Sequence, residues 1–326
     1  MPIPIRRDKD VCSEAETYSD TYSLSSRTTT TINVRGGLPT QLVRKSARKG
    51  FPFNIMTVGP PGTGKSTLLS ALFGRNLDIP KSRIKITDPL NPPVALDSKT
   101  FDIVDGNVKV KLTIHESRNY GEAICFDQTH KPLVHFIDTR FVDYYKQESG
   151  VDRRNIQDNM VHCLFFFISA FEHGLSKLDI DFLKAVHRKV NIIPIISWAE
   201  ALNASERALL KRRIRDEFEK NDIHVYQMDD PDIEDPDDVK QAIKEIQNTY
   251  PFAVASIDLN SDYSLADRGL DWGQIDSSDK DHSDYLHLKN MFDLRMASLG
   301  DSTRELFYEE YRSKMLQSEG SILLRS

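Results

Sequence analysis

Gly59, Gly64, Lys65 and Ser66 stand at the spacing G-x-x-x-x-G-K-[ST], the pattern of a loop that cradles phosphate. The chemistry accounts for the spacing. Glycines permit a tight turn, successive backbone N–H groups then face one concavity, and the helix that follows adds the positive potential of its N-terminus. Lys65 would reach the β- and γ-phosphates of a nucleotide, and the Ser66 hydroxyl would enter a Mg²⁺ shell. The alternative is a Gly-Pro turn with an incidental lysine. The flanks argue against it: residues 53–58 read as a short buried strand, and 68–73 as the first turns of an amphipathic helix.

Such a loop needs a sheet behind it, and the rest of the chain supplies the pattern of one. Residues 108–114 alternate apolar and polar side chains, as a strand does. CLFFFI at 163–168 and NIIPII at 191–196 are continuous apolar runs, expected of strands buried on both faces. Helical spacing over 178–190 joins them into a β-α-β unit. Residues 205–220 read as a charged helix with Ser205 as its cap, and 250–256 close the strand series. Two stretches read as loops: 78–107, with the breakers Pro89, Pro92 and Pro93, and the acidic 229–238, whose carboxylates lack metal-site spacing. Strands alternating with helices predict an α/β fold, a mostly parallel sheet flanked by helices.

The 326 residues are 39% hydrophobic and 28% charged with net charge −6, which allows a sizeable core and gives no global basis for binding nucleic acid. Cys12, Cys125 and Cys163 are too scattered for a disulfide framework or zinc cluster, and point to a reducing, cytoplasmic setting. No apolar run approaches membrane-spanning length. Residues 1–41, rich in Ser and Thr, read as a flexible arm. A basic helix follows at 42–50, where Arg44, Lys45, Arg48 and Lys49 share a face. Such a face is a solvated surface or a contact for anionic lipid, at about 1 kcal/mol per charge.

Between residues 42 and 316 the chain resembles the septins, filament-forming guanine-nucleotide-binding proteins. The stretches that carry the likeness are the basic helix leading into Lys49-Gly-Phe, ESGVDRRNIQD from Glu148, VHC from Val161, and FEHGL from Phe171. LDI from Leu178, VNIIP from Val190, PFAV from Pro251, Trp272-Gly273 and LFYEEYR from Leu306 continue it. The resemblance implies a Ras-like P-loop domain over 51–258 and a septin-type helical element over 259–326, without a long coiled coil. It implies GTP or GDP with Mg²⁺ as cofactors, held by Gly59, Gly62, Thr63, Gly64, Lys65, Ser66 and Thr67. Glu116 would reach the metal through water. Thr87 is the candidate catalytic residue, with a strand-edge threonine as the equal alternative. Asn119 would face the γ-phosphate, Glu200 and Arg268 the base, and His173 the nucleotide of a neighbouring subunit. Partners implied are other septins, through a nucleotide-side face and a terminal-helix face, and phosphoinositide membrane at Arg44, Lys45, Arg48 and Lys49. A ring or cortical cytoskeletal location follows from the same likeness.

The departures fall in the catalytic and base-reading stretches. The family's Asp-Thr-Pro-Gly-Phe-Gly-Asp stands here as ESRNYGE from Glu116, one methylene longer at the metal and with Asn119 in place of glycine. The family's Ala-Lys-Ala-Asp stands as Ser197-Trp-Ala-Glu200, and Ala255 replaces a glycine. These changes favour a structural filament subunit with impaired hydrolysis over a GTPase whose turnover regulates assembly. A third reading comes from GPPGTGK, which resembles the phosphate loop of AAA+ ATPases; LTIHE from Leu112 lacks their paired acidic residues.

Overall fold

The computed structural model describes residues 30–33, 51–82, 90–105, 108–124, 129–151, 156–230, 237–260, 265–266, 268–270, 273–275, 279 and 281–323. Thr87, the basic face at 44–49 and Trp272 lie outside them.

The strands of the main sheet are β1 (Thr30–Asn33), β2 (Phe51–Val58), β3 (Ala95–Asp105), β4 (Val108–Arg118), β5 (Cys163–Ser169), β6 (Asn191–Ser197) and β7 (Phe252–Val254). They run in the order β1-β3-β4-β2-β5-β6-β7, which puts the strand feeding the phosphate loop at the centre. β2, β4, β5, β6 and β7 are parallel; β3 pairs with β4 antiparallel, and β1 with β3 in parallel. The sheet is therefore mixed and mostly parallel, the α/β architecture of a P-loop domain. β5 and β6 are buried at every position, as their unbroken apolar runs require. Pro194 sits in β6 one residue before β7 joins at Ile195, where a missing N–H removes no bond to that neighbour.

The helices are α1 (Lys65–Phe73), α2 (Lys131–Ser149), α3 (Lys177–Val186), α4 (Ala204–Lys220), α5 (Asp237–Thr249), α6 (Tyr285–Ser302) and α7 (Glu309–Leu323), the last two joined by a π-helical turn at Thr303–Tyr308. Side-chain alternation along the strands sorts the core into two layers. Phe53, Ile55, Phe165 and Phe167 face α1, α5 and α6; Met56, Val58, Leu164 and Phe166 face α2, α3 and α4. α6 is thus part of the domain's own core: Phe292 packs edge-on against Phe53 at 5.7 Å between ring centroids and against Phe73 at 5.6 Å.

Several expectations need correction. The stretch expected to be loop over 78–107 contains β3. Its first inward residue is the buried Asp97, held by the Ser82 hydroxyl and ion-paired with Arg118, so a charge interrupts the apolar alternation. The cap of α4 is Asn203, not Ser205: Asn203 Oδ1 accepts from Glu206 N at 2.9 Å, Glu206 Oε2 accepts in return from Asn203 N at 3.0 Å, and Ser205 donates to the same Asn203 oxygen. α2 and α5 are helices the sequence pattern did not single out.

Candidate nucleotide-binding site

The phosphate loop takes its shape from positions where a side chain cannot stand. A Cβ on Gly59 would lie 2.6 Å from both Cβ and the carbonyl oxygen of Phe167, so the loop passes directly over β5. Gly62 and Gly64 adopt left-handed backbone at φ 79° and 76°, which turns the chain into α1. Thr63 Oγ1 donates to the Pro60 carbonyl at 2.8 Å and closes the turn. Lys65 folds back over it, its Nζ donating to the carbonyls of Gly59 at 3.0 Å and Pro60 at 2.6 Å.

Lys65 is only 7% exposed, and among the described residues no carboxylate comes within ion-pair distance of it. Burial lowers its ammonium to about 8, while the fields of Glu116 and Glu122 pull the other way. A buried cation held only by carbonyl oxygens fits an anion at the concavity, as a nucleotide phosphate would supply.

The second half of the centre comes from the C-terminal end of β4. Register places Glu116 beside Thr57 of β2, and both of its carboxylate oxygens accept from Ser66 Oγ, at 2.8 and 3.0 Å. A hydroxyl and a carboxylate are hard oxygen donors suited to Mg²⁺, whose other positions would come from phosphate and water. Among the described residues no group of three or more His, Cys, Asp or Glu could hold a metal unaided. Three residues on, Asn119 keeps the left-handed backbone natural to glycine, φ 61°, and its side-chain amide donates to the Pro93 carbonyl at 3.0 Å. Tyr120 is buried, and its hydroxyl donates to Asp179 Oδ1 at 2.9 Å, pinning this loop to the capping box of α3. Burial and the adjacent Asp179 raise the phenol well above its ordinary value, so it stays a donor.

Beside the loop lies a cleft of about 230 Å³ reaching from Gly62, Gly64 and Thr67 to Ser197, Trp198, Ala255 and Ser256. At its far end Glu200 accepts from Ser256 N at 3.0 Å and from the Ser256 hydroxyl. Ala255 N donates to Ser283 Oγ at 3.2 Å.

The residues expected at the site thus divide. Gly59, Gly62, Thr63, Gly64, Lys65, Ser66, Thr67, Glu116 and Asn119 converge on one end of the sheet, and Glu200 is bonded to Ser256 of the cleft lining. His173 is exposed on the loop between β5 and α3. Arg268 begins a short hairpin strand, Arg268–Leu270, paired antiparallel with Gly273–Ile275. Sequence reasoning missed the partners that hold these groups: Ser256 for Glu200, Asp179 for Tyr120 and Pro93 for Asn119. Each pairing spans between 26 and 59 residues, and nothing in the residue types signals it.

The family model for Septin matches residues 49–323. The chain is 39% identical over 283 residues to Septin-2B of Xenopus tropicalis, covering 86% of this chain and 80% of that protein. It is 39% identical over 290 residues to Septin-1 of Homo sapiens, covering 86% and 77%, and to Septin-5 of Mus musculus, covering 88% and 79%.

Proposed function

The chain belongs to the septin family, whose domain is a P-loop GTPase domain implying guanine-nucleotide binding, and from that premise we propose that this protein is a filament subunit that holds its nucleotide as structure, with GTP turnover slow or lost. The observation that carries the proposal is the bifurcated hydrogen bond from the Ser66 hydroxyl to both carboxylate oxygens of Glu116. Phosphoryl transfer depends on positioning and charge stabilisation, so the loop end that carries Mg²⁺ must be free to arrange itself around the γ-phosphate. Here the longer carboxylate closes directly on the hydroxyl, Asn119 is tied to Pro93, and Tyr120 is anchored to α3. Each contact supports holding over turning. Ser66, and Glu116 through water, would hold Mg²⁺, which would supply charge neutralisation for the phosphates. Lys65 and the loop amides would grip the phosphates, and Glu200 and Arg268 would meet the base.

The proposed partners are other septins in hetero-oligomeric rods or rings. His173, Arg268 and Trp272 belong to the nucleotide-side face and the terminal helices to the other. Arg44, Lys45, Arg48 and Lys49 would hold the subunit to anionic or phosphoinositide membrane during division, septation or sporulation. Among the described residues no helix is long and apolar enough to cross a membrane. Two measurements test the core of the proposal: the nucleotide released from purified, denatured protein, identified by chromatography, and single-turnover hydrolysis of GTP. The expected result is GDP or GTP near one per chain with hydrolysis at background. Robust turnover that vanishes in Thr87→Ala would instead make this a working GTPase, and an empty pocket would make Lys65 a relic.

A further inference from the structure

The end of the cleft away from the phosphate loop offers an aromatic wall where hydrogen-bonding groups are already engaged. Trp198 has left-handed backbone, φ 58° and ψ 44°, at the start of a short 3-10 turn. Its ring edge lies 3.8 Å from where a Cβ on Gly62 would stand, so the indole reaches the phosphate loop across the cleft. Phe171, 68% exposed, packs against it with ring centroids 5.3 Å apart and planes tilted by 44°, which supports the indole from the side while Trp198 itself lines the cleft. The groups that could read a base by its edge already have partners within the fold. Both oxygens of Glu200 accept from Ser256, through its amide and its hydroxyl, and the Ala255 amide is spent on Ser283.

We propose that Trp198 is the base-stacking residue of this cleft, so that the purine is held chiefly by its face and guanine is only weakly preferred over adenine. This rests on the nucleotide-holding reading above. A π face is common to every base, so stacking gives affinity without selection. Selection comes from polar groups left unpaired by the wrong ligand, which reject it by about 10⁴-fold when the site is built around them. Glu200 has lone pairs to spare, since a carboxylate offers about four acceptor sites. It can therefore accept guanine N1–H and N2–H, yet it is not orphaned when they are missing.

The experiment uses the full chain: the anisotropy of mant-GDP reports occupancy of the cleft, and unlabelled GTP and ATP compete in the presence of Mg²⁺. The two should displace the probe within about tenfold of each other. In the same assay, Trp198→Ala should weaken both by about fivefold or more, while Trp198→Phe keeps most of the affinity. Ser256→Ala, which releases one oxygen of Glu200, should raise the preference for GTP several-fold. A GTP preference above a hundredfold in the parent chain, with Lys65→Ala still abolishing binding, would overturn this inference alone. So would a Trp198→Ala variant that binds normally. Failure of the parent chain to bind any nucleotide would overturn the underlying reading as well.

Discussion

Lys65 carries a consequence that its motif does not show. Its ammonium sits near 8 because it is buried, so the folded chain binds this proton less readily than the unfolded chain, where lysine titrates near 10.5. The stability cost is in full force below pH 8 and is relieved as pH rises from 8 to 10.5. Bound phosphate would restore the ordinary affinity for the proton. Nucleotide binding at pH 9 should therefore take up a substantial fraction of one proton, and at pH 7 almost none; calorimetry in two buffers of different ionisation heat reads the difference. Gly59 makes a second prediction. A methyl there meets the backbone of β5 at 2.6 Å, and backbone does not swing aside. Gly59→Ala should cost about 1 to 3 kcal/mol in urea unfolding through overpacking alone, and weaken nucleotide binding besides. Both residues were legible in the sequence, because spacing within eight positions fixes their local geometry. Glu200 was legible as a position but not as a state, because its partner Ser256 arrives from the end of another strand.

At the scale of elements, the informative contacts are those that hold the loop after β4. Tyr120 spans from that loop to α3, and Tyr120→Phe would leave a buried carboxylate short of a donor. The expected cost is about 1 to 3 kcal/mol, with amide exchange over residues 119–124 speeding more than exchange in β5. Within β4 itself, His115 is 4% exposed, bonded through Nδ1 to Ser98 Oγ at 2.6 Å and packed edge-on to Phe136. Burial, with help from Arg140, lowers the imidazole to about 3. The unfolded chain takes this proton near pH 6.5, so stability falls as pH drops from 6.5 towards 3. Between pH 6.5 and 5 the loss should be about 2 kcal/mol, and His115→Phe should lose less over the same interval when unfolding is followed at both pH values. Elements with uniform environments could be read from the sequence, as β5 and β6 were. β3 could not, because its inward Asp97 is satisfied by Ser82 and Arg118, and such a charge looks like a surface residue until its partners are known.

For the whole molecule, the helices after residue 284 close the core instead of forming an appendage. Phe292 touches rings from β2, α1 and β5, and Tyr308 stacks with Phe141 of α2 at 6.3 Å. Phe292→Ala should cost about 3 to 5 kcal/mol. The loss should appear in one cooperative transition seen alike by far-ultraviolet dichroism and by tryptophan fluorescence. Two separate transitions would mean that the C-terminal helices fold as their own unit. The sequence could reveal the α/β class because alternation of element types is local. It could not show that α6 belongs to the first layer and Tyr308 to the second, since only packing joins residues so far apart. That union also sets a clock on synthesis. Phe53 emerges about 240 residues before its partner Phe292, a delay of roughly 12 to 48 s at ordinary elongation rates. Throughout that time one face of the nascent sheet stays greasy and uncovered, and a chaperone or a waiting neighbour has a surface to claim.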